Sequence, residues 1–207
     1  MSIVEIGRLL RANTSGFVVG CRVTQLNTPS FGALVRVPLE DGYQIYGLIH
    51  DIHIDDDGLV RQLVTADMGD DAAFSAVIAD NRENRNVPVE MSVLSVGYRQ
   101  NGRISHMLPP RPPLSLDRIY LCEADEICQF TAAGRFGYFR HVLRAADLPI
   151  GELLAAHVQE ANQSHQAFGD LDWSSRATQE LITLLRDDYP TLMAVLGALS
   201  DVDVVEI

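Results

Sequence analysis

Hydrophobic and polar positions alternate with a period of two over residues 3–65, which is the period of a half-buried β-strand. Val35 and Val37, for example, fall on one face of a strand and Arg36 falls on the other. Asp41-Gly42 has the residue types of a tight β-hairpin turn between two such segments. The pattern predicts five strands, at residues 3–10, 17–23, 31–39, 43–54 and 59–64.

The period-two alternation returns at residue 89, after a stretch that breaks it. Residues 71–79 have the apolar spacing of a short helix, and the loop after them is polar. Asn101-Gly102 predicts a second hairpin, because a type I′ turn requires positive φ at both central residues. Four prolines within residues 109–113 predict an extended strap, rather than a polyproline ligand for an SH3-like module, leading to a last strand at 118–122.

Helical spacing replaces strand alternation near residue 130. Asp147 is predicted to cap the first long helix, because the proline two residues later is tolerated in a first helical turn. Asp172 or Ser174 is predicted to cap a second helix, and a third spans residues 192–199. The predicted fold is therefore mainly β plus α. An antiparallel β-barrel covers residues 1–128, with a short helical insertion near 71–79, and a helical domain or arm covers 129–207.

The chain is strongly acidic, with a formal net charge of −12. This argues against direct nucleic-acid binding, which depends on Lys and Arg neutralising phosphate. All 16 basic residues are Arg, so the sequence holds neither a Walker-type phosphate loop nor a Schiff-base lysine. It also lacks a nucleophile-elbow motif. We therefore predict a protein that is not an enzyme and that requires no cofactor.

Three cysteines, Cys21, Cys122 and Cys128, are too few and too irregularly spaced for a disulfide framework or a zinc site. Cys122 falls within a predicted strand and is expected to be a small buried hydrophobic residue. The first residues do not resemble a signal peptide, and no apolar run approaches the ~20 residues that span a bilayer. We expect a cytoplasmic protein with reduced thiols and no membrane contact.

Several short motifs follow one another in a set order along residues 3–128. They are Ile6-Gly7-Arg8-Leu9, Tyr46-Gly47-Leu48-Ile49, Ser95-Val96-Gly97-Tyr98, the proline crossing, and the closing segment from Ile119 to Glu126. Together they resemble a HAS barrel, the domain shared by HerA-type ATPases and ATP synthase subunits. In HerA-type proteins a P-loop ATPase core follows the barrel, whereas this chain continues into predicted helices.

The resemblance implies a stand-alone barrel subunit. In the family, the barrels form a crown on a hexameric motor, and nuclease partners dock on that crown. The implied function is therefore that of a non-catalytic accessory or adaptor subunit, which associates in trans with a HerA-like P-loop ATPase in DNA processing. Self-assembly into a ring is a further expectation, because the barrels of the family pack side by side.

Two alternative functions compete with this one. His50, His53 and the run from Asp55 to Asp57 would be the residues of a metal-dependent hydrolase. His50 and His53 point to opposite faces of a strand, so a strand that ends in an acidic turn is the favoured interpretation and no metal site is predicted. The other alternative is a small molecule bound inside the barrel, which an internal cavity would favour.

A second cluster of histidines lies in the helical part. His157 and Glu160 are spaced i, i+3 and share a helix face, and His165 follows on the same predicted helix. Di-metal sites in helical bundles need matching pairs on several helices, and the helix around Leu181 has none. These residues are therefore predicted to be polar helix surface.

The candidate partner interface combines arginines with aromatic residues, the types enriched at interaction hot spots. It consists of Arg135, Phe136, Tyr138, Phe139, Arg140 and Arg144, with His141 beside them. Two alternatives stay open. The arginines would form an ordinary solvated helix face, and the aromatic residues would seal the barrel against the helices.

Overall fold

The computed structural model describes residues 4–22, 29–54, 75 and 88–203. Within these ranges the N-terminal part contains seven strands. They are β1 (Glu5–Ala12), β2 (Gly16–Arg22), β3 (Leu34–Pro38), β4 (Gln44–Ile54), β5 (Pro88–Gln100), β6 (Arg103–Ser105) and β7 (Arg118–Leu121). The strand predicted at 59–64, and all but Ser75 of the helix predicted at 71–79, lie outside the described residues.

Six of these strands close into an antiparallel β-barrel. Hydrogen-bonded neighbours follow in the order β2, β1, β7, β3, β4 and β5, and pairing between β5 and β2 closes the ring. The closing pair is long, from Gly16 opposite Leu94 to Arg22 opposite Pro88. β6 extends β5 as a hairpin outside the ring. Since closure leaves no free edge in the ring, the predicted barrel is confirmed together with its mixed β and α fold class.

Apolar side chains fill the barrel interior. Each of the six strands contributes at least one buried side chain to a single cluster, which includes Ile6, Phe17, Val35, Ile45, Met91 and Ile119. An interior packed in this way is typical of small barrels that serve as a scaffold. The packed interior favours the scaffold interpretation over a ligand held inside the barrel.

Both predicted turn sequences join paired strands, Asn101-Gly102 as the predicted type I′ hairpin and Asp41-Gly42 through a 3-10 helix instead of a two-residue turn. Asn101 and Gly102 have φ values of 51° and 75°, the positive pair that a type I′ hairpin between β5 and β6 needs. Asp41-Gly42 lies in a short 3-10 helix, Glu40–Gly42, between β3 and β4. The proline strap runs from β6 to β7, and the backbone of Leu116 donates a hydrogen bond to the Leu9 carbonyl oxygen at 2.8 Å. This contact holds the strap against β1.

Five helices follow the barrel in the described part of the chain. They are α1 (Ala124–Ala132), α2 (Phe139–Leu143), α3 (Ile150–Ala167), α4 (Trp173–Leu184) and α5 (Tyr189–Asp203), with a 3-10 helix at Ala133–Phe136 between α1 and α2. None of them has the length and apolar character that crossing a bilayer requires. A reciprocal capping box of Glu123 and Glu126 starts α1, so helical structure begins slightly before the predicted boundary at 128.

Neither of the two aspartates predicted as helix caps acts as one through its side chain. Asp147 has a φ of 59°, in the left-handed region, whereas an N-cap residue needs extended backbone. The helix α3 instead begins at Ile150, with Pro149 in the cap position. Asp172, one of the two predicted alternatives, takes the position before α4, but its side chain makes no capping hydrogen bond.

The helices pack on the outer face of β3, β4 and β5. Leu34, Tyr46 and Val96 from this face join helical side chains such as Phe130 and Leu154 in one buried cluster. The rings of Tyr46 and Phe130 lie 4.6 Å apart at their centroids. The helical part therefore shares its hydrophobic core with the barrel wall instead of extending away from it.

Candidate functional site

The predicted interface lies in residues 133–144, which we call the arginine segment and which run from the end of α1 through α2. The structure buries Tyr138 and Phe139 completely, half-buries Phe136 and Arg140, and exposes Arg135 and Arg144. A partner cannot reach Tyr138 or Phe139 in this fold. Both aromatic side chains seal the barrel against the helices, which was the alternative interpretation, and only the other residues remain accessible.

Tyr138 lies at the centre of an aromatic cluster between the helices and the barrel. Its ring centroid is 5.3 Å from that of Phe130 and 5.0 Å from that of His106. Its hydroxyl is hydrogen-bonded to Nε2 of His157 at 3.0 Å. Burial raises the pKa of Tyr138 well above its ordinary value and lowers the pKa of His157 to about 4. Near neutral pH the pair is therefore an uncharged hydrogen bond inside the core.

His157 and Glu160 face the barrel wall from α3, so the prediction of a polar helix surface is wrong for this pair. His157 is fully buried, and Glu160 Oε2 accepts a hydrogen bond from the backbone N–H of Leu34 at 3.3 Å. Burial raises the pKa of Glu160 from 4.5 to about 7, opposed by the bond from Leu34. His157 and Glu160 do share one face of the helix, as predicted. That face is covered by the barrel wall at β3, however, and is not exposed to solvent.

His165 is also buried, within a chain of polar contacts. Its Nε2 lies 2.8 Å from Thr131 Oγ1, and the Thr131 hydroxyl donates to the Ile127 carbonyl oxygen at 2.7 Å. On its other side, Nδ1 lies 3.4 Å from Asp170 Oδ2. Arg176 binds both Asp170 oxygens, at 3.1 and 2.6 Å. Because the Thr131 proton is already donated to a carbonyl, this hydroxyl is held as a structural bridge rather than as a nucleophile.

A groove of about 330 Å³ lies between β5 and α2, beside the proline strap; we call it the β5–α2 groove. Arg140 and His141 both bind the carbonyl oxygen of His106, the latter through Nε2 at 2.8 Å. Burial lowers the pKa of His141, so the positive charge of the groove comes from two arginines. The lining of the groove includes Leu94, Leu108, Arg140, His141 and Arg144.

A second concave surface, of about 550 Å³, lies between the end of α1 and α4; we call it the α1–α4 cleft. Its lining includes Thr131, Arg135, Phe136, Trp173, Arg176 and Glu180. The arginine segment therefore contributes to two separate surfaces. Arg135 and Phe136 line the α1–α4 cleft, whereas Arg140 and Arg144 line the β5–α2 groove.

The residues of the alternative metal site are not brought together in the part of the chain that the structure describes. His50 is half-buried and His53 is exposed near the end of β4. The run from Asp55 to Asp57 lies outside the described residues. Among residues 4–22, 29–54, 75 and 88–203, no three His, Cys, Asp or Glu side chains are grouped closely enough to hold a metal ion.

The chain matches no protein-family model, and it is not significantly similar to any curated protein. The resemblance to a HAS barrel therefore rests on the order of the motifs in the sequence.

Several residues of these sites were not singled out by the sequence. Nε2 of His106 is hydrogen-bonded at 3.0 Å to the carbonyl oxygen of Phe130, which is 24 positions away in the sequence. Thr131 and His165, which are also hydrogen-bonded, are 34 positions apart. Contacts across such separations leave no periodic signal. The only tryptophan, Trp173, was the one available indication, since a lone large aromatic residue at the start of a helix is typical of a packing anchor.

Proposed function

We propose that this chain is a non-catalytic assembly subunit of the cytoplasm, which binds a HerA-like P-loop ATPase in trans in a DNA-processing complex. The β5–α2 groove is the docking surface, and an acidic segment of the ATPase that also carries apolar side chains is its occupant. The observation that carries the proposal is the pairing of apolar walls with two arginines in one groove of a chain whose net charge is −12.

Charge supports this choice of surface. The described lining of the groove contains Arg140 and Arg144 and no Asp or Glu. Charges further away than about 8 Å are largely screened at physiological ionic strength, so the local arginines dominate the potential at the groove. An acidic partner segment is therefore attracted there, while the remaining acidic surface repels it.

Apolar exposure supports the same surface. Met107 and Leu108, in the strap beside the groove, are 61% and 41% exposed. The Met107 sulfur lies 3.6 Å from the Arg140 guanidinium, so apolar and cationic groups are contiguous. Flexible methionine together with arginine is a combination that protein interfaces favour over the rest of a protein surface.

The test uses the chain as bait in an extract of its own cells, followed by the purified proteins. We expect near-stoichiometric recovery of a P-loop ATPase, and a complex of the two purified proteins in sedimentation velocity. Arg144→Glu reverses a charge on an exposed side chain and is expected to weaken the complex at least tenfold. Arg186→Glu reverses the charge of another exposed arginine, which lies outside the groove lining, and serves as the matched control.

Two results would overturn the proposal. One is recovery of no P-loop ATPase by the wild-type bait. The other is a complex that Arg144→Glu and Arg186→Glu weaken to the same extent, because the groove would then have no special role. Light scattering of the purified chain tests the accompanying expectation of self-assembly into a ring.

A further inference from the structure

The α1–α4 cleft has the properties of a small-molecule site, and the proposed function does not use it. Its volume of about 550 Å³ is within the range of ligand pockets. Thr131 and Arg135 line it from the end of α1 and the turn that follows. The helix α4 forms the opposite wall, where Trp173, Arg176 and Glu180 follow at spacings i, i+3 and i+7 on one face. Cationic and carboxylate groups thus meet in one concavity.

The two arginines of the cleft keep unused hydrogen-bond donors. The Arg135 guanidinium makes no hydrogen bond or ion pair within the described ranges. The Trp173 side chain, which is 1% exposed, forms part of the wall beside them. Arg176 uses two of its five N–H groups on Asp170 and keeps three. A group with several acceptor oxygens would satisfy these donors together.

Backbone strain occurs at the same place. Gly134, Arg135 and Phe136 have φ values of 55°, 48° and 57°, so two residues with a Cβ lie in the left-handed region. This conformation is unfavourable for both, and the surrounding structure must hold it. The Phe136 ring stacks on that of Phe139 at 5.5 Å, which fixes the turn to the core. Strain of this kind is concentrated at functional positions.

We infer that the α1–α4 cleft binds a small molecule that carries a carboxylate or phosphate group. Arg135 and Arg176 bind the oxyanion, and the Trp173 side chain forms part of the wall beside it. Glu180 accepts a hydrogen bond from the remainder of the ligand, which therefore has a donor besides its anionic group. The inference is independent of the ATPase partner.

The fluorescence of Trp173 reports on the cleft, because it is the only tryptophan of the chain. The full chain is titrated at constant pH and ionic strength with inorganic phosphate, citrate and glutamate, with sodium chloride as the reference. At least one probe is expected to give a saturable change in emission. Arg135→Gly removes the guanidinium while suiting the left-handed backbone, and it is expected to lower the affinity at least tenfold. Arg186→Gly is the matched control and is expected to bind as the wild type does.

A response to phosphate alone assigns a phosphate ligand, and a response to citrate or glutamate alone assigns a carboxylate; either supports the inference. A saturable response to none of the three probes overturns it. A response that Arg135→Gly leaves unchanged also overturns it, because the binding site would then lie elsewhere. Arg135→Gly is expected to form the ATPase complex normally, so a failure of the proposed function and a failure of this inference are distinguishable.

Discussion

The replacement Glu160→Gln is the sharpest test of how the helices pack on the barrel. Glu160 reaches from α3 to the backbone N–H of Leu34 at the start of β3, and burial raises its pKa from 4.5 to about 7. Glutamine keeps the acceptor oxygen for Leu34 and cannot ionise. The variant therefore removes the buried charge and leaves the hydrogen bond in place.

The expected magnitude follows from the change in pKa. In the unfolded chain Glu160 loses its proton near pH 4.5, whereas in the folded chain it keeps the proton up to about pH 7. Between these values the folded state binds more protons, so the free energy of unfolding decreases as the pH rises. The loss is complete above pH 7 and amounts to about 3 kcal/mol. Glu160→Gln should thus equal the wild type near pH 4.5 and exceed it by about 3 kcal/mol above pH 7.

His157, one helical turn earlier, acts in the opposite direction. Burial lowers its pKa from 6.5 to about 4, so between these values the unfolded state binds more protons. Its contribution is present above pH 6.5 and is lost as the pH falls towards 4, again by about 3 kcal/mol. In the wild type the two slopes nearly cancel. Glu160→Gln should expose the slope of His157 together with that of the other histidines whose pKa burial lowers, and the stability of the variant should rise from pH 4 to 6.5.

Urea unfolding followed by the fluorescence of the buried Trp173 measures these free energies, since urea is uncharged and does not screen ionic interactions. Glu152→Gln, on the exposed side of the same helix, is the matched control and should not reproduce the pH-dependent gain. A difference between Glu160→Gln and the wild type that is constant from pH 4.5 to 8, or a variant that is less stable throughout, would refute the reasoning.

Three further substitutions test single contacts. Tyr138→Phe leaves His157 buried without its partner and should destabilise the fold by about 1–3 kcal/mol, seen as a lower melting temperature; an unchanged melting temperature would mean that water reaches the site. Arg135→Gly should stabilise the fold by up to about 1 kcal/mol in urea unfolding, because glycine accepts a φ of 48°; a loss of stability would contradict the assigned strain. Gly47→Ala places a Cβ 2.4 Å from Val93 Cγ1 and should destabilise by about 1–3 kcal/mol in the same assay, whereas a neutral result would show that β5 can move away.

The barrel could be predicted because its signals are local. Alternation along a strand, as in Val35 and Val37, and the turn chemistry of Asn101-Gly102 act within a few residues, and the structure confirms both. Closure of the barrel has no local signal, because it depends on pairing between β2 and β5, which are far apart in the sequence. It was predicted only from the general need to protect the edges of a sheet.

The candidate site could be predicted only in part, because burial is decided by what packs against a segment. Tyr138 and Arg144 lie in one stretch of sequence, yet the core covers the first and leaves the second exposed. The same holds for His157 and His165. Their spacing in the sequence predicted helix surface, but neighbouring parts of the fold cover both side chains. Composition cannot show which face of a helix meets a barrel wall.

The buried and exposed halves of the arginine segment act together. Because Tyr138 and Phe139 are fixed in the core, the backbone that carries Arg135 and Arg144 is already ordered before any ligand or partner binds. Ordering in advance lowers the entropy lost on association, which makes an arginine on a rigid turn a better anchor than one on a mobile loop. Variants at the two arginines should therefore affect one surface each, Arg135 the α1–α4 cleft and Arg144 the β5–α2 groove. Loosening Tyr138 should weaken both surfaces at once, and that difference would distinguish a shared aromatic support from two unrelated sites.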